Sequence, residues 1–369
     1  MKRLKNVMIY PFREQHISTV KYLSAFHESF TVGAVCAPTG LGLIGKDVSH
    51  VANRDPLGII VEGDPKQALD KNDMLLILSE TDDVVRRLAV DLMIDAANQK
   101  KDIFCLMELS DEENDKLEAL CKANNCLFEC NLSSVDNQIL NKTIGYRKKI
   151  YKPSVPVMFV GGLIESADQM EILVGMTNEL RQKGYRVSAF GNGEACNFLG
   201  LHSYKFILNT ENAPKMIKQL NHFVQEVEED ESPDIILIQV PGAMLRYNDV
   251  LTGDFGIYTY LFSQAFIPDY FICCSMYDIL EESFFKMVSS DFERRFGFKV
   301  DGIHPSNQLI DSMDSIQKKE IVCVHVSQNQ LENTLENLKK NASIPVYNLL
   351  HKIQQECAVE DMLTSLAGN

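Results

Sequence analysis

Positive charge is scarce in this 369-residue chain: 36 Lys and Arg stand against 51 Asp and Glu, a formal charge of −15. That balance argues against an extended nucleic-acid surface. Long apolar runs are missing too. None reaches the roughly 18 residues of a membrane span, and the basic start MKRLKNVMIY has no long apolar segment behind it, so no membrane partner and no secretion signal are expected. The ten cysteines form no C-x-x-C and several sit inside apolar strands, where Cys acts as a small hydrophobe. A reduced, cytoplasmic setting is the expectation. The eight histidines form neither H-E-x-x-H nor H-x-x-E-H, and no Ser lies in G-x-S-x-G.

What is present is β/α alternation. Strands are expected at 7–10, 30–36, 57–62, 74–78, 102–107 and 127–130, with helices at 18–27, 65–71, 82–100 and 111–124 between them. A polar stretch comes next, with a basic patch at Arg147, Lys148, Lys149 and Lys152 and punctuation at Pro153 and Pro156. The domain boundary is placed there, and the patch reads as a solvated linker. Beyond it, strands are expected at 157–160, 186–190, 206–209, 235–240, 270–275, 321–326 and 344–349. Helices are expected at 168–183, 213–228, 258–266, 281–296 and 331–340, with a last one near the end. The acidic run 226–231 (EVEEDE) reads as a solvated helix end. The expected fold class is α/β: two Rossmann-like three-layer domains with mostly parallel sheets. Residues 1–150 form a Rossmann-like domain and 151–369 a degenerate P-loop-like one.

The most informative stretch is 155–191. An apolar strand ends in Gly161-Gly162, and after a short loop come a helix closed by Gly184 and a second strand. Phosphate loops are built on this scaffold. A working one needs G-x-x-x-x-G-K-[ST], where the Lys reaches the phosphates and the hydroxyl holds magnesium. Counting from Gly161 puts Ser166, Ala167 and Asp168 in the last three positions; counting from Gly162 puts Ala167, Asp168 and Gln169 there. Neither register supplies the cation, and Glu165 and Asp168 would repel a triphosphate.

The strand at 235–240 ends in Gln239-Val240-Pro241-Gly242. Nucleotide-hydrolysing proteins of this layout carry an acidic residue near that strand end to position magnesium. Gln239 is neutral and binds magnesium poorly. Asp249 and Asp254 are the nearby carboxylates, more often solvated or helix-capping than ligands when so spaced. A second Gly-rich loop, Gly40 to Lys46, reads as G-x-x-x-x-G-K through Gly40, Gly45 and Lys46, but Asp47 stands where Ser or Thr is needed and no clear helix comes after it. His202 and His304 read as loop residues that could face a cleft, and Cys196 as a buried bystander without a paired His.

The candidate ligand-binding set is therefore Gly161, Gly162, Glu165, Ser166, Gln239, Pro241, Gly242 and Asp254, with Gly40, Gly45 and Lys46 as a second loop. No catalytic residue and no metal ligand is assigned. No cofactor is expected; ATP with magnesium stays open, unsupported by the loop residues.

Several segments taken together carry a resemblance: VPVMFVGGL (155–163), RQKGYRVSAFG (181–191), LGLHSYKF (199–206), PDIILIQVPGAM (233–244), DFGIYTYLFSQAFIPDYFI (254–272) and RRFGFKVD (294–301). The chain resembles the peptide maturation system proteins of clostridia and their relatives, which accompany a radical-SAM maturase beside ribosomally made peptide natural products. The match runs in order along nearly the whole chain and is looser in the N-terminal half. The resemblance implies a role in modifying a precursor peptide of the bacteriocin kind. It implies that peptide or the radical-SAM maturase as partner, and no particular catalytic residue. The C-terminal half also resembles P-loop ATPases of the dethiobiotin-synthetase and partitioning-ATPase class with the signature eroded, a fold-level likeness that does not establish hydrolysis. The leading expectation is an accessory protein binding precursor peptide, maturase or a small ligand without hydrolysing nucleotide, with a homodimer left open. The reading leans away from an enzyme. The alternative is a nucleotide-dependent ligase or ATPase whose missing cation comes from Lys46, Arg246 or a partner.

Overall fold

A computed structural model of the chain describes residues 4–26, 29–130, 149–165, 168–193, 195–208, 210–277, 280–340 and 342–368. The chain divides into two compact units, Met1–Ser134 with Asn197–Gly200, and Val135–Cys196 with Leu201–Asn369. Both are built on a six-stranded parallel sheet flanked by helices, a Rossmann-like α/β architecture.

The first unit's strands are β1 (Lys5–Tyr10), β2 (Phe30–Cys36), β3 (Val61–Glu62), β4 (Met74–Ile77), β5 (Asp102–Cys105) and β6 (Phe128–Cys130). They lie in the order β3-β2-β1-β4-β5-β6, the order of dinucleotide-binding folds. Parallel neighbours need crossovers, supplied by α1 (Ile17–Phe26), α2 (Pro65–Lys71), α3 (Asp83–Asn98) and α4 (Asp111–Asn124). Both sheet faces are covered, so Met8 and Ile9, or Leu75, Leu76 and Ile77, are all fully buried although successive side chains point opposite ways. The helices start where the sequence puts short acceptors. Asp64 and Asp82 accept from the first free N–H groups of α2 and α3, and Ser110 forms a capping box with Glu113.

In the second unit the strands are β7 (Val157–Gly162), β8 (Val187–Gly191), β9 (His202–Ser203), β10 (Ile235–Ala243), β11 (Tyr270–Ser275) and β12 (Gly302–Pro305), in the order β12-β11-β7-β10-β8-β9. Around them pack α5 (Gln169–Gln182), α6 (Ala213–Glu231), α7 (Ile257–Ala265) and α8 (Glu282–Phe296). An antiparallel pair, β13 (Gln308–Ile310) with β14 (Cys323–His325), comes after them together with α9 (Ser312–Lys318), α10 (Gln328–Lys339) and α11 (Lys352–Ala367). Phe298 joins the core rings, 5.8 Å from Phe159 and 5.1 Å from Phe271 between centroids, both edge to face. No helix among the described residues is long and apolar enough to cross a membrane.

Four expected elements change. The strand at 57–62 shrinks to β3, because the N–H groups of Leu57, Gly58 and Ile59 turn to the Asp47 carboxylate. At 206–209, Lys205–Ile207 is a 3-10 turn and the strand lies just before it, at β9. The strand at 321–326 leaves the main sheet to pair with β13, and 344–349 makes one isolated bridge, Val346 to Ile303. The acidic run is not simply solvated. Helix α6 continues through it, Glu228 is buried and accepts from Ser154 N–H and Oγ, and Glu231 accepts from Ser188 and faces His202. The run's period matches a helix, so Glu228 is carried onto the inner face, while the exposed Glu231 at its end reaches Ser188 and His202.

The capping box makes a measurable demand. Ser110→Ala is expected to lower stability by about 1 kcal/mol, and Glu112→Ala, without a cap to lose, by under about 0.5 kcal/mol. Urea unfolding of both variants checks this; equal losses would mean that the box contributes nothing.

Candidate functional site

Strand β7 sits in the middle of its sheet. The chain leaves it towards β10, β8 and β9 on one side and crosses back to β11 and β12 on the other. Ligands of open α/β sheets gather at the carboxyl ends of such strands. The expected site residues are there: Gly161 and Gly162 end β7, while Gln239, Pro241 and Gly242 lie near the end of β10.

The two glycines serve packing. A Cβ on Gly161 would stand 3.0 Å from Met244 Sδ and 3.3 Å from Phe271. One on Gly162 would stand 2.0 Å from Gln169 Nε2 and 2.6 Å from the Ile164 carbonyl oxygen. Gln169 opens α5 and sends its amide back across the loop to donate to Ile164 O at 3.1 Å. The loop backbone is stitched to both neighbours. Leu163 N–H donates to Cys274 O, Met244 N–H to Gly162 O and Leu245 N–H to Leu163 O. A phosphate loop instead leaves its N–H groups pointing at the ligand. Glu165 is exposed and Ser166 lies outside the described residues.

Asp168, the residue before α5, takes the left-handed conformation at φ 65°. Its carboxylate meets His304 Nε2 at 3.2 Å, and both side chains are buried. His304 Nδ1 accepts from Leu349 N–H at 3.1 Å; the Tyr347 carbonyl lies farther off at 3.3 Å. An amide N–H can only donate, so the Leu349 contact assigns Nδ1 as acceptor and Nε2–H as the donor to Asp168. Expected on a loop and facing a cleft, His304 belongs instead to β12 with both ring nitrogens engaged. This pins the start of α5 to the far side of the sheet. Burial, with Asp168 nearby, pushes the adjacent Cys274 thiol far above its ordinary range, so it is no nucleophile.

Gln239 accepts from Asn192 N–H at 3.0 Å through Oε1, while its carbonyl takes the hydroxyl of Tyr204. Pro241 and Gly242 form an irregularity. Against β7, Gln239 pairs with Val160 and Ala243 with Gly162, so three residues of β10 face Gly161 alone. Gly242 has φ 74°, and its would-be Cβ would lie 2.7 Å from the Asp254 carboxylate. Asp254 accepts from Ala243 N–H at 2.8 Å and Tyr258 N–H at 3.3 Å, at the start of α7. It is a loop clamp and helix cap. Burial raises its pKa, with those N–H groups opposing. Asp249 is exposed and pairs with Arg246 at 3.1 Å. No group of three or more His, Cys, Asp or Glu that could hold a metal ion occurs among the described residues.

The second loop has positive φ at Gly40, Gly42 and Gly45. Asp47, just past Lys46, accepts from the N–H groups of Ser49, Leu57, Gly58 and Ile59, farther along the same connection. Here the backbone does form an anion cradle, and the chain's own carboxylate occupies it. Lys46 is exposed, and the next element is a 3-10 turn, Val48–Ala52, not an α-helix. His202 lies in β9, stacked on Phe190, and Cys196 is buried. Sequence reasoning missed Gln169, Tyr204 and the Asp168–His304 pair. No local motif marks them, because each meets a partner distant in sequence or folded back across a turn.

No family model matches the chain, and no curated protein matches it. Among solved structures, a DUF1611-family protein from Anabaena variabilis ATCC 29413 is similar over 98% of this chain and 99% of that one, with a TM-score of 0.59 and 10% identity. That likeness is one of fold. A LAO/AO transport system kinase overlaps 78% of each chain at a TM-score of 0.30 and 10% identity, too weakly to carry an argument.

This geometry has two measurable outcomes. Gly162→Ala is expected to destabilise by about 1–3 kcal/mol. Adding Gln169→Ala should return only part of that, since the Ile164 carbonyl still crowds the new methyl. Full recovery in chemical denaturation of the double variant would remove the carbonyl from the argument. For Asp254, the folded-state pKa lies above the unfolded one, so its contribution is full below the unfolded value and lost as pH rises through the folded value. Wild-type stability measured against Asp254→Asn should therefore decline across the carboxylate range as pH rises. A difference that is flat or grows would contradict the raised pKa.

Proposed function

We propose that the chain is a non-hydrolytic accessory protein in the maturation of a ribosomally made peptide, acting in the cytoplasm. Its partner is the precursor peptide or the radical-SAM maturase, and a homodimer stays open. The observation that carries the non-hydrolytic part is the loop after β7. Its Leu163 N–H donates to Cys274 of β11, its Gly162 and Leu163 carbonyls accept from Met244 and Leu245 just past β10, and the Gln169 amide lies across it. None of its described residues is a Lys or Arg. The peptide part rests on the sequence segments that resemble peptide maturation proteins. The ligase alternative needs a cation at the phosphates, and Arg246 is already paired with Asp249.

The test is thermal-shift titration of the full chain with ATP, GTP and ADP plus magnesium, alongside co-purification with a cognate maturase and its precursor. No nucleotide shift and a stable complex are the expected results. A concentration-dependent rise of several degrees with ATP, abolished by substitution at Gly161 or Gly162, would overturn the non-hydrolytic reading.

A further inference from the structure

The strand order of the first sheet reverses between β1 and β4, and the carboxyl ends of those strands carry Arg13 and Glu80. Arg13 Nε donates to Glu80 Oε2 at 2.6 Å. Glu80 is almost wholly buried, its side chain 3% exposed, whereas that of Arg13 is 31% exposed. The other Glu80 oxygen accepts from the N–H groups of Thr81 and Asp82, at 2.8 and 3.0 Å. Burial works against the ionised form, yet the Arg13 bond and those N–H groups hold the Glu80 carboxyl below its usual range. Glu80 is therefore a fixed anion with both oxygens engaged, and its effect is to hold the guanidinium in place.

Holding Arg13 by Nε leaves Nη1 and Nη2 uncommitted among the described residues. Those two nitrogens are the parallel fork that matches a carboxylate. A second guanidinium is anchored on the same residue. Arg86 donates to Glu80 O at 3.1 Å and to Glu108 O at 2.7 Å, both carbonyls, and forms no ion pair with a carboxylate among the described residues. Glu80 and the Asp82 carboxylate, which also feels Arg13, together offset the charges of Arg13 and Arg86, so this edge is close to neutral.

We propose that the carboxyl edge of the first sheet, where β1 meets β4, binds a singly charged carboxylate in the Nη fork of Arg13, with Arg86 as the supporting charge and Glu80 as the positioning residue. With no surplus charge at this edge, the geometry of the fork selects the ligand: a carboxylate fits its two parallel N–H groups, and the β1–α1 connection, Pro11 to His16, has no Gly to let a backbone cradle approach a phosphate. The carboxylate comes either from a small molecule or from the C-terminus of a peptide. This site is independent of the non-hydrolytic reading of the second unit.

The experiment tracks the arginine side-chain 15N signals of the full-length protein. Titrants are propionate, inorganic phosphate, and one pentapeptide with either a free or an amidated C-terminus. Saturable shifts of the Arg13 signal with propionate assign a small carboxylate; shifts with the free-acid peptide only assign a chain terminus. Either result supports the site. Binding by Arg13→Lys, which keeps the charge beside Glu80 but loses the fork, is read on the Arg86 signal and should be weaker by about tenfold. Its thermal melt checks the fold, and the Arg13→Gln/Glu80→Gln pair, which leaves no buried lone charge, should give no Arg86 shift. Silence with every carboxylate, an affinity undiminished in Arg13→Lys, or a stronger response to phosphate would overturn the proposal.

Discussion

The amide of Gln169, folded back over Gly162 onto the Ile164 carbonyl, is the contact on which the second unit's functional edge depends. A strand–turn–helix unit at the middle of a parallel sheet points backbone donors at whatever lies over the turn. Here the chain supplies its own acceptors and its own filler. Gly161 admits Met244 and Phe271, Gly162 admits Gln169, and the Asp168–His304 pair fixes the angle at which the helix leaves. Substitution anywhere in this group is felt by the others, because a buried amide or imidazole left without its partner costs about 1–3 kcal/mol.

The same logic recurs in each place where a sequence reader would look for a bound anion. The loop after β2 makes a cradle of N–H groups, and Asp47 sits in it. The start of α7 and the bulge of β10 offer two more donors, and Asp254 takes them. Electrostatic needs at these positions are met within the chain. Arg13 is the exception, since among the described residues its one ion-pair partner engages a single nitrogen of three.

Much of the architecture was legible because it is written in local terms. Apolar runs without alternation announced strands buried on both faces, and apolar residues at helical spacing announced the helices between them. Tyr270–Ser275 and Asp111–Asn124 were placed to the residue. What escaped was non-local. That 57–60 would surrender its pairing to Asp47, or that 344–349 would keep one bridge, depends on neighbours no window contains. The site residues divide the same way. Gly161, Gly162, Gln239, Pro241, Gly242 and Asp254 lie where the pattern put them, yet what they do there is set by Gln169, Met244 and Asn192, which the pattern did not single out.

The bulge in β10 carries one more consequence. Between the pairs Gln239–Val160 and Ala243–Gly162, β10 advances four residues while β7 advances two. The excess is even, so side chains beyond the bulge resume the same faces, and Met244 arrives fully buried against Gly161. An odd change of length would exchange the two buried faces at the end of β10 and take Met244 from its place against Gly161. A change of two residues at this turn therefore preserves the packing, whereas a change of one does not.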